Sequence, residues 1–358
     1  MHALGLPAFI YGAGLNLFNI SVFAYFMNSL GAYKVDRRKM NMIYLETLKT
    51  YSNIALQHGI HSLFFPGGTR SRSGMIETKL KLGLLGTAME AQRNNFEKSE
   101  NNDAKKIFVV PIVLNYNLVL EAAPLISDYL RREGQERYYV ENDNYSNSYR
   151  ILSFLVRFIT KGSNIAVSIG RGMDLLGNYV DDEGNSLDAT GKHIDIRDYF
   201  SFHGKIERNV QRESEYTRML SEKLVKEFHA LAIVLPGHFV TFVAFEKLRR
   251  RHPRLDIYNF LRMPVEEQII DYNEFNIACA SFIKVLFDLE RDKKIQTADY
   301  LKEQTIDDII ETGINNVGIL HAKRPLLKNK EGNIITNDLN LLYYYHNRLA
   351  GYELEKYI

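Results

Sequence analysis

The spacing of apolar and polar positions predicts alternating helices and strands in the first half of the chain. Apolar residues recur at near-helical intervals in two segments, and short continuous apolar runs separate them. The predicted elements are helices over 43–58 and 79–94 and strands over 60–65, 106–114 and 164–170. This alternation predicts an α/β fold in which a mostly parallel sheet is flanked by helices.

The pattern changes after about residue 205. Residues 206–228 read as a charged amphipathic helix, and further helical patterns follow while strand signals weaken. We therefore expect an α/β domain over 1–205, with its N-terminal part missing, and a mainly helical C-terminal region over 206–358. The apolar run 341–346 is expected to be a helix that packs in the core.

Composition narrows the class of protein. The chain has 358 residues, of which 46% are hydrophobic and 25% charged, so it is a folded globular chain. The 45 basic and 43 acidic residues leave a net charge of +2, which argues against a dedicated nucleic-acid binder. The single cysteine, Cys279, excludes an internal disulfide and favours a reducing compartment.

The first 33 residues contain no Lys, Arg, Asp or Glu. The absence of a basic segment argues against a cleavable signal peptide. A membrane span is one interpretation of this stretch, since a spanning helix needs about 20 apolar residues. The glycines and asparagines that interrupt it favour the alternative, buried elements at a membrane-facing active site.

The segment 65–74, Phe-Pro-Gly-Gly-Thr-Arg-Ser-Arg-Ser-Gly, carries the clearest chemistry. A glycine-rich turn between a strand and a helix exposes backbone N–H groups that bind anions. Arg70 and Arg72 follow at once, and guanidinium groups bind phosphate with two hydrogen bonds. The alternative is a surface turn with solvated arginines. A nucleoside-triphosphate loop is excluded because the Gly-Lys-Ser/Thr ending is missing.

This segment resembles the Phe-Pro-Glu-Gly-Thr-Arg-Ser-Arg-x-Gly block of the glycerolipid acyltransferases, which include the glycerol-3-phosphate and lysophosphatidate acyltransferases. Two further blocks occur in the same order as in that family. Residues 31–37 resemble the upstream Gly-x-x-Phe-Ile-x-Arg block, and residues 110–112 resemble the downstream Val-Pro-Ile block. Residues 13–17 also resemble the Ala-Gly-x-Asn-Leu stretch of the larger members that use glycerol 3-phosphate.

The resemblance implies transfer of a fatty acyl group from a thioester of coenzyme A or acyl carrier protein to a hydroxyl of a glycerol phosphate. It implies no further cofactor and no metal. The residues that it assigns to the acceptor's phosphate are Arg37, Gly68, Thr69, Arg70, Ser71 and Arg72. It also implies that Pro111 shapes the acyl or acceptor pocket.

Two departures from the family pattern concern catalysis. The family's His-x-x-x-x-Asp block supplies a general base and the carboxylate that orients it, and it should precede residue 13, where only His2 is found. No catalytic residue is therefore identified, and we expect that Met1 is an internal methionine and that the gene begins upstream. One such pattern occurs at 193–198, in the wrong order, and is expected to be a loop or strand edge. Gly67 stands where most members carry Glu.

Residues 228–245 carry no formal charge and are followed by a basic cluster over 247–254. Such a segment suits an interfacial helix on an anionic leaflet, and a packed helix pair is the alternative. The substrate class favours the membrane surface. We therefore expect a peripheral or weakly anchored protein on the cytoplasmic face of a membrane.

The function favoured by these observations is a glycerol-3-phosphate O-acyltransferase of phospholipid biosynthesis. A lysophosphatidate acceptor is the alternative within the class, and a non-catalytic phosphate- or lipid-binding paralogue is the alternative outside it. A nucleic-acid-binding module is disfavoured, because no platform of aromatic and basic residues accompanies the arginines. Without the catalytic pair, this chain is expected to be inactive or nearly so.

Overall fold

The computed structural model describes residues 5, 8–19, 21–36, 38–39, 41–68, 70–99, 103–134, 165–319 and 321–358. They fall into two compact units. The first comprises the described residues of 1–69, 78–111 and 170–227, and the second those of 70–77, 112–169 and 228–358. The predicted domain boundary at residue 205 stays a prediction.

The described part of the chain contains helices and short strands in a mixed α and β fold. The helices are α1 (Ser21–Ser29), α2 (Met42–Gln57), α3 (Gly83–Lys98), α4 (Ala122–Gly134), α5 (Val210–Leu231), α6 (Pro236–Arg251), α7 (Ile257–Phe260), α8 (Tyr272–Arg291), α9 (Tyr300–Glu303), α10 (Ile306–Gly318) and α11 (Leu339–His346). The strands are β1 (Ile10–Gly14), β2 (Ala32–Val35), β3 (Ser62–Leu63), β4 (Ile112–Tyr116), β5 (Ile165–Ile169), β6 (Ser186–Leu187), β7 (His193–Ile194), β8 (Ser201–Phe202), β9 (Lys205–Ile206), β10 (Ile233–Val234), β11 (Ile269–Ile270), β12 (Gln296–Thr297), β13 (Leu327–Lys328) and β14 (Ile334–Ile335). Segments of 3₁₀ helix lie at Leu15–Asn19, Ile196–Phe200, Val265–Gln268, Asn347–Leu349 and Glu355–Tyr357.

A parallel three-stranded sheet of order β2-β1-β3 lies in the first unit. Its strands are joined by helices, as parallel strands require. The predicted helix over 43–58 is confirmed as α2, and Gly59 follows it in the left-handed region at φ +78°. The predicted helix over 79–94 exists as α3 but begins four residues later than expected, at Gly83.

Strands β4 and β5 form an antiparallel pair in the second unit, with Ile112 opposite Ile169. The expectation that these strands lie in a parallel sheet covered on both faces is wrong. Leu114 is 38% exposed and Val167 is 54% exposed, whereas Val113 is buried. An alternation of buried and exposed positions is typical of an antiparallel pair with one solvated face.

Helix α6 lies in the core of the second unit and packs against α8, α10 and α11. Every residue from Pro236 to Glu246 is buried. A Cβ at Gly313 of α10 would lie 2.6 Å from the backbone oxygen of Pro236, so a glycine permits this close approach. The expectation of an interfacial helix is therefore wrong for 236–245, because an uncharged run also suits a helix enclosed by other helices. No described helix combines the length and apolar character that a membrane span needs.

Candidate functional site

The glycine half of the predicted phosphate loop is a tight turn in the first unit. The Gly68 N–H donates to the Phe65 carbonyl at 3.0 Å, with Pro66 at the second position of the turn. Gly68 has φ +71°, and a Cβ there would lie 2.8 Å from Cγ of Lys81. The Lys81 N–H in turn donates to the Pro66 carbonyl at 2.7 Å. Glycine at 68 is therefore required by both the backbone angle and the approach of the Lys81 stem, a contact that the sequence did not indicate.

The two arginines lie in the second unit and are paired with carboxylates at helix α4. Arg70 Nη1 lies 2.5 Å from Oε2 of Glu121, and Arg72 Nε lies 2.7 Å from Oδ2 of Asp128. The Arg70 side chain is 50% exposed and the Arg72 side chain 32% exposed. Pairs this exposed contribute at most about 1 kcal/mol to stability. Their main effect is to orient the guanidinium groups while leaving them within reach of a ligand from solvent.

The segment between Ser71 and Gly74 is fixed by the end of helix α11. The side-chain amide of Asn347 donates to the Ser73 carbonyl at 2.8 Å, and the Tyr344 hydroxyl donates to the Ser71 carbonyl at 3.4 Å. The Ser71 hydroxyl donates to the Met75 carbonyl at 2.9 Å, so its proton is engaged within the segment. The backbone that carries the arginines is therefore held by residues more than 270 positions away in the sequence.

The structure brings together three of the predicted phosphate-binding residues. Arg70, Ser71 and Arg72 lie in one stretch of the second unit. Gly68 lies in the first unit, as does Pro111, which is buried and accepts a hydrogen bond from Gly170 N–H at 2.9 Å. Arg37 and Thr69 lie outside the described residues. The roles expected for all of these residues stay predictions.

The His-x-x-x-x-Asp pattern at 193–198 does not form a pair. His193 lies in strand β7, is 67% exposed, and places Nε2 3.0 Å from Oδ2 of Asp181. Asp195 caps the following 3₁₀ helix by accepting from Arg197 N–H at 2.9 Å. These are the contacts of a strand edge and a helix cap, as expected for a segment without a catalytic role.

Residues 2–115 match the Acyltransferase family model. No curated protein and no solved structure matches the chain. The match contains all the blocks on which the resemblance was based, so the acyltransferase resemblance is confirmed over this segment. It indicates acyl transfer in glycerolipid synthesis. We refer to residues 2–115 as the acyltransferase segment.

The carboxylates that pair with Arg70 and Arg72 in these contacts lie beyond the acyltransferase segment. Glu121 and Asp128 follow its end, and Asn347 lies near the end of the chain. Gly67 removes the carboxylate that the family's motif carries beside the arginines, and Glu121 places one against Arg70. Sequence spacing gave no signal for this pairing, because 51 positions separate the two residues.

Asn347 is held by buried polar contacts with His346, which in turn contacts Glu246. Nε2 of His346 lies 2.7 Å from Oε1 of Glu246, and Nδ1 lies 3.1 Å from Oδ1 of Asn347. His346 is 5% exposed and Asn347 is 1% exposed. The imidazole also stacks on Phe242, with ring centres 4.9 Å apart and planes inclined by 2°. Helix α6 in the core is thereby connected, contact by contact, to the backbone of the arginine-bearing stretch.

Proposed function

We propose that the chain binds glycerol 3-phosphate as the acceptor of a glycerol-3-phosphate O-acyltransferase in phospholipid biosynthesis. The observation that carries the proposal is the pair of oriented, accessible guanidinium groups of Arg70 and Arg72 within the acyltransferase segment. The acyl donor would be a thioester of coenzyme A or acyl carrier protein. We further propose that the parallel sheet β2-β1-β3 belongs to the helix-flanked sheet of an acyltransferase domain.

In this proposal the arginines act by orientation. Guanidinium groups give phosphate paired, charge-assisted hydrogen bonds. The Ser71 hydroxyl could add a hydrogen bond only by giving up its bond to the Met75 carbonyl. The resemblance adds Arg37, Gly68 and Thr69 to the phosphate side and Pro111 to the pocket. An acceptor hydroxyl that is held beside the thioester reacts in an effectively unimolecular step. This lowers the entropic part of the activation free energy of acyl transfer.

Replacing Arg70 or Arg72 by glutamine is expected to weaken glycerol 3-phosphate binding by about 10- to 100-fold, because each charge-assisted hydrogen bond contributes about 1.5–3 kcal/mol. Isothermal titration calorimetry measures the affinity. Arg131→Gln is the matched control, since Arg131 is exposed, lies on α4 and changes the net charge equally. If Arg131→Gln weakened binding as much as Arg70→Gln, the affinity would depend on the net charge of the protein and not on Arg70 and Arg72, which would contradict the proposal.

The same titration discriminates the alternatives. Tighter binding of a short-chain lysophosphatidate than of glycerol 3-phosphate would assign the chain to the lysophosphatidate class. Transfer of a radiolabelled acyl group from acyl-coenzyme A by this chain would exclude a non-catalytic phosphate- or lipid-binding paralogue and would contradict the inactivity expected without the catalytic pair. Failure to bind either phosphate ester would overturn the proposed function.

We also propose peripheral contact with an anionic membrane surface on the cytoplasmic face. Arg250 and Arg251 donate to the backbone carbonyls of Glu355 and Ile269, respectively. The guanidinium groups of these two members of the basic cluster are therefore engaged in hydrogen bonds inside the protein. Arg254 and Arg262, in contrast, are exposed and line an open depression of about 610 Å³. Among the described residues, no carboxylate lies within 4 Å of either one. They are therefore available to meet lipid phosphates.

Replacing Arg254 and Arg262 together by glutamine is expected to reduce sedimentation with phosphatidylglycerol vesicles by about tenfold or more, since each basic residue near an anionic surface contributes about 1 kcal/mol. The control variant Lys284→Gln with Lys330→Gln removes the same charge from exposed sites. Cosedimentation at constant ionic strength is the measurement. Equal retention of both variants on the vesicles would contradict this use of the depression.

A further inference from the structure

Arg348 is a partly buried cation without a counter-charge among the described residues. It lies in the 3₁₀ helix that follows α11, and Nη2 donates to Oδ1 of Asn115 at 2.7 Å and to the Leu114 carbonyl at 3.4 Å. No described carboxylate lies within 4 Å of its guanidinium group. Burial lowers the pKa of Arg348, the direction expected for a desolvated cation.

The neutral groups around Arg348 do not compensate its charge. Burial, followed by the charge of Arg348, lowers the pKa of His238 to about 3, so this imidazole is neutral at pH 7. Burial raises the pKa of the Tyr344 and Tyr352 hydroxyls above their ordinary values, so both are neutral as well. A partly buried cation is less favourable without a counter-charge, so an anionic ligand would stabilise Arg348.

Asn115 adds unused donors beside the guanidinium. It is 1% exposed, and its Oδ1 accepts from both Arg348 and the Ile233 N–H at 3.2 Å. These two donors fix the orientation of the amide, so that Nδ2 carries the N–H groups. Nδ2 has no hydrogen-bond partner among the described residues. Asn115 thus keeps an unused N–H donor on the same amide whose oxygen accepts from Arg348, and an anionic oxygen is a suitable acceptor for it.

Tyr344 connects this pair to the predicted phosphate-binding stretch. Its hydroxyl donates to the Ser71 carbonyl at 3.4 Å. The same hydroxyl feels the charges of Arg348 and of Glu121, which lower and raise its pKa respectively. The Tyr344 hydroxyl is therefore within electrostatic range of Arg348 and of Glu121, which pairs with Arg70 in the same unit.

We propose that Arg348 and Asn115 are further anion-binding residues that take an oxygen of the phosphate ligand bound at Arg70, Ser71 and Arg72. Identification of that ligand as glycerol 3-phosphate rests on the proposed function. The argument for an anion rests on the surroundings of Arg348 and on the unused donor of Asn115. Both residues are beyond or at the end of the acyltransferase segment, so its motifs did not indicate them.

Titration of the full chain with inorganic phosphate, and then with glycerol 3-phosphate, tests this assignment. Arg348→Gln is expected to weaken phosphate binding tenfold or more, and Arg348→Lys to weaken it less because the charge is kept. The melting temperature without ligand is expected to stay unchanged or rise in Arg348→Gln, because an uncompensated cation is removed. Arg131→Gln is expected to change neither quantity.

The outcomes separate this proposal from the previous one. Arg348-dependent binding of inorganic phosphate, with no preference for glycerol 3-phosphate, would support the role of Arg348 and count against the proposed acceptor. A lowered melting temperature with unchanged phosphate affinity in both Arg348 variants would show a purely structural role and overturn the inference. Absence of phosphate binding by the unaltered chain would overturn it too.

Discussion

Replacing Gly74 by alanine is expected to lower the free energy of unfolding by about 3 kcal/mol and to weaken phosphate binding at least tenfold. Gly74 has φ +84°, a conformation that costs a residue with a side chain about 1 kcal/mol. The added Cβ would also lie 2.1 Å from the backbone oxygen of Tyr344. Relieving such an overlap typically costs about 1–3 kcal/mol. Because Gly74 follows Arg72 by two positions, the backbone shift would displace the guanidinium groups.

Gly332→Ala is the matched control for this variant. Gly332 has φ +87° and lies in the same unit, but nothing lies within 4 Å of a Cβ built there. It should therefore lose only about 1 kcal/mol, the cost of the backbone angle. Urea unfolding and phosphate titration of both variants provide the comparison. Equal losses of stability would show that the contact between Gly74 and Tyr344 adds nothing, contrary to this expectation.

Strong local periodicity explains which elements were predictable. Helix α2 was placed within one residue at each end, and the core helix around 341–346 was also predicted. In each case the apolar positions that define the helix are neighbours in sequence. The direction of pairing between β4 and β5 was not predictable in this way, because apolar runs report burial without naming the partner strand. The interfacial helix expected for the uncharged stretch was wrong over 236–245 for the same reason, since the burial of these residues depends on α8, α10 and α11.

In the candidate site, too, residues that are neighbours in sequence were predictable and distant ones were not. Arg70, Ser71 and Arg72 are contiguous, so a motif could reveal them. The residues that orient them are distant in sequence: Glu121 for Arg70, Asp128 for Arg72 and Asn347 for the Ser73 carbonyl. Arg348 gave no signal either, since a single arginine after a helix is ordinarily solvated. Its isolation from carboxylates becomes visible only when the described structure places Asn115 and the tyrosines around it.

Replacing Glu246 by leucine is expected to lower the free energy of unfolding by about 3–5 kcal/mol. Removing one member of a buried pair leaves the other without its partner, and a penalty of this size is typical. Here Nε2 of His346 would lose its hydrogen-bond partner, the carboxylate oxygen of Glu246 that lies 2.7 Å away. Glu246→Gln keeps an oxygen in place and should cost only about 1 kcal/mol. Urea unfolding of the full chain measures both values.

The double variant Glu246→Leu with His346→Phe separates stability from positioning. An apolar pair of similar volume is often neutral in place of a buried polar pair, and a phenyl ring can keep the stack on Phe242. We therefore expect the double variant to unfold within about 1 kcal/mol of the unaltered chain. Its phosphate affinity should nevertheless fall several-fold, because Asn347 loses its contact with His346 and holds the Ser73 carbonyl less firmly. Unaltered phosphate affinity in a stable double variant would show that the arginine-bearing stretch keeps its place without the buried contacts behind it.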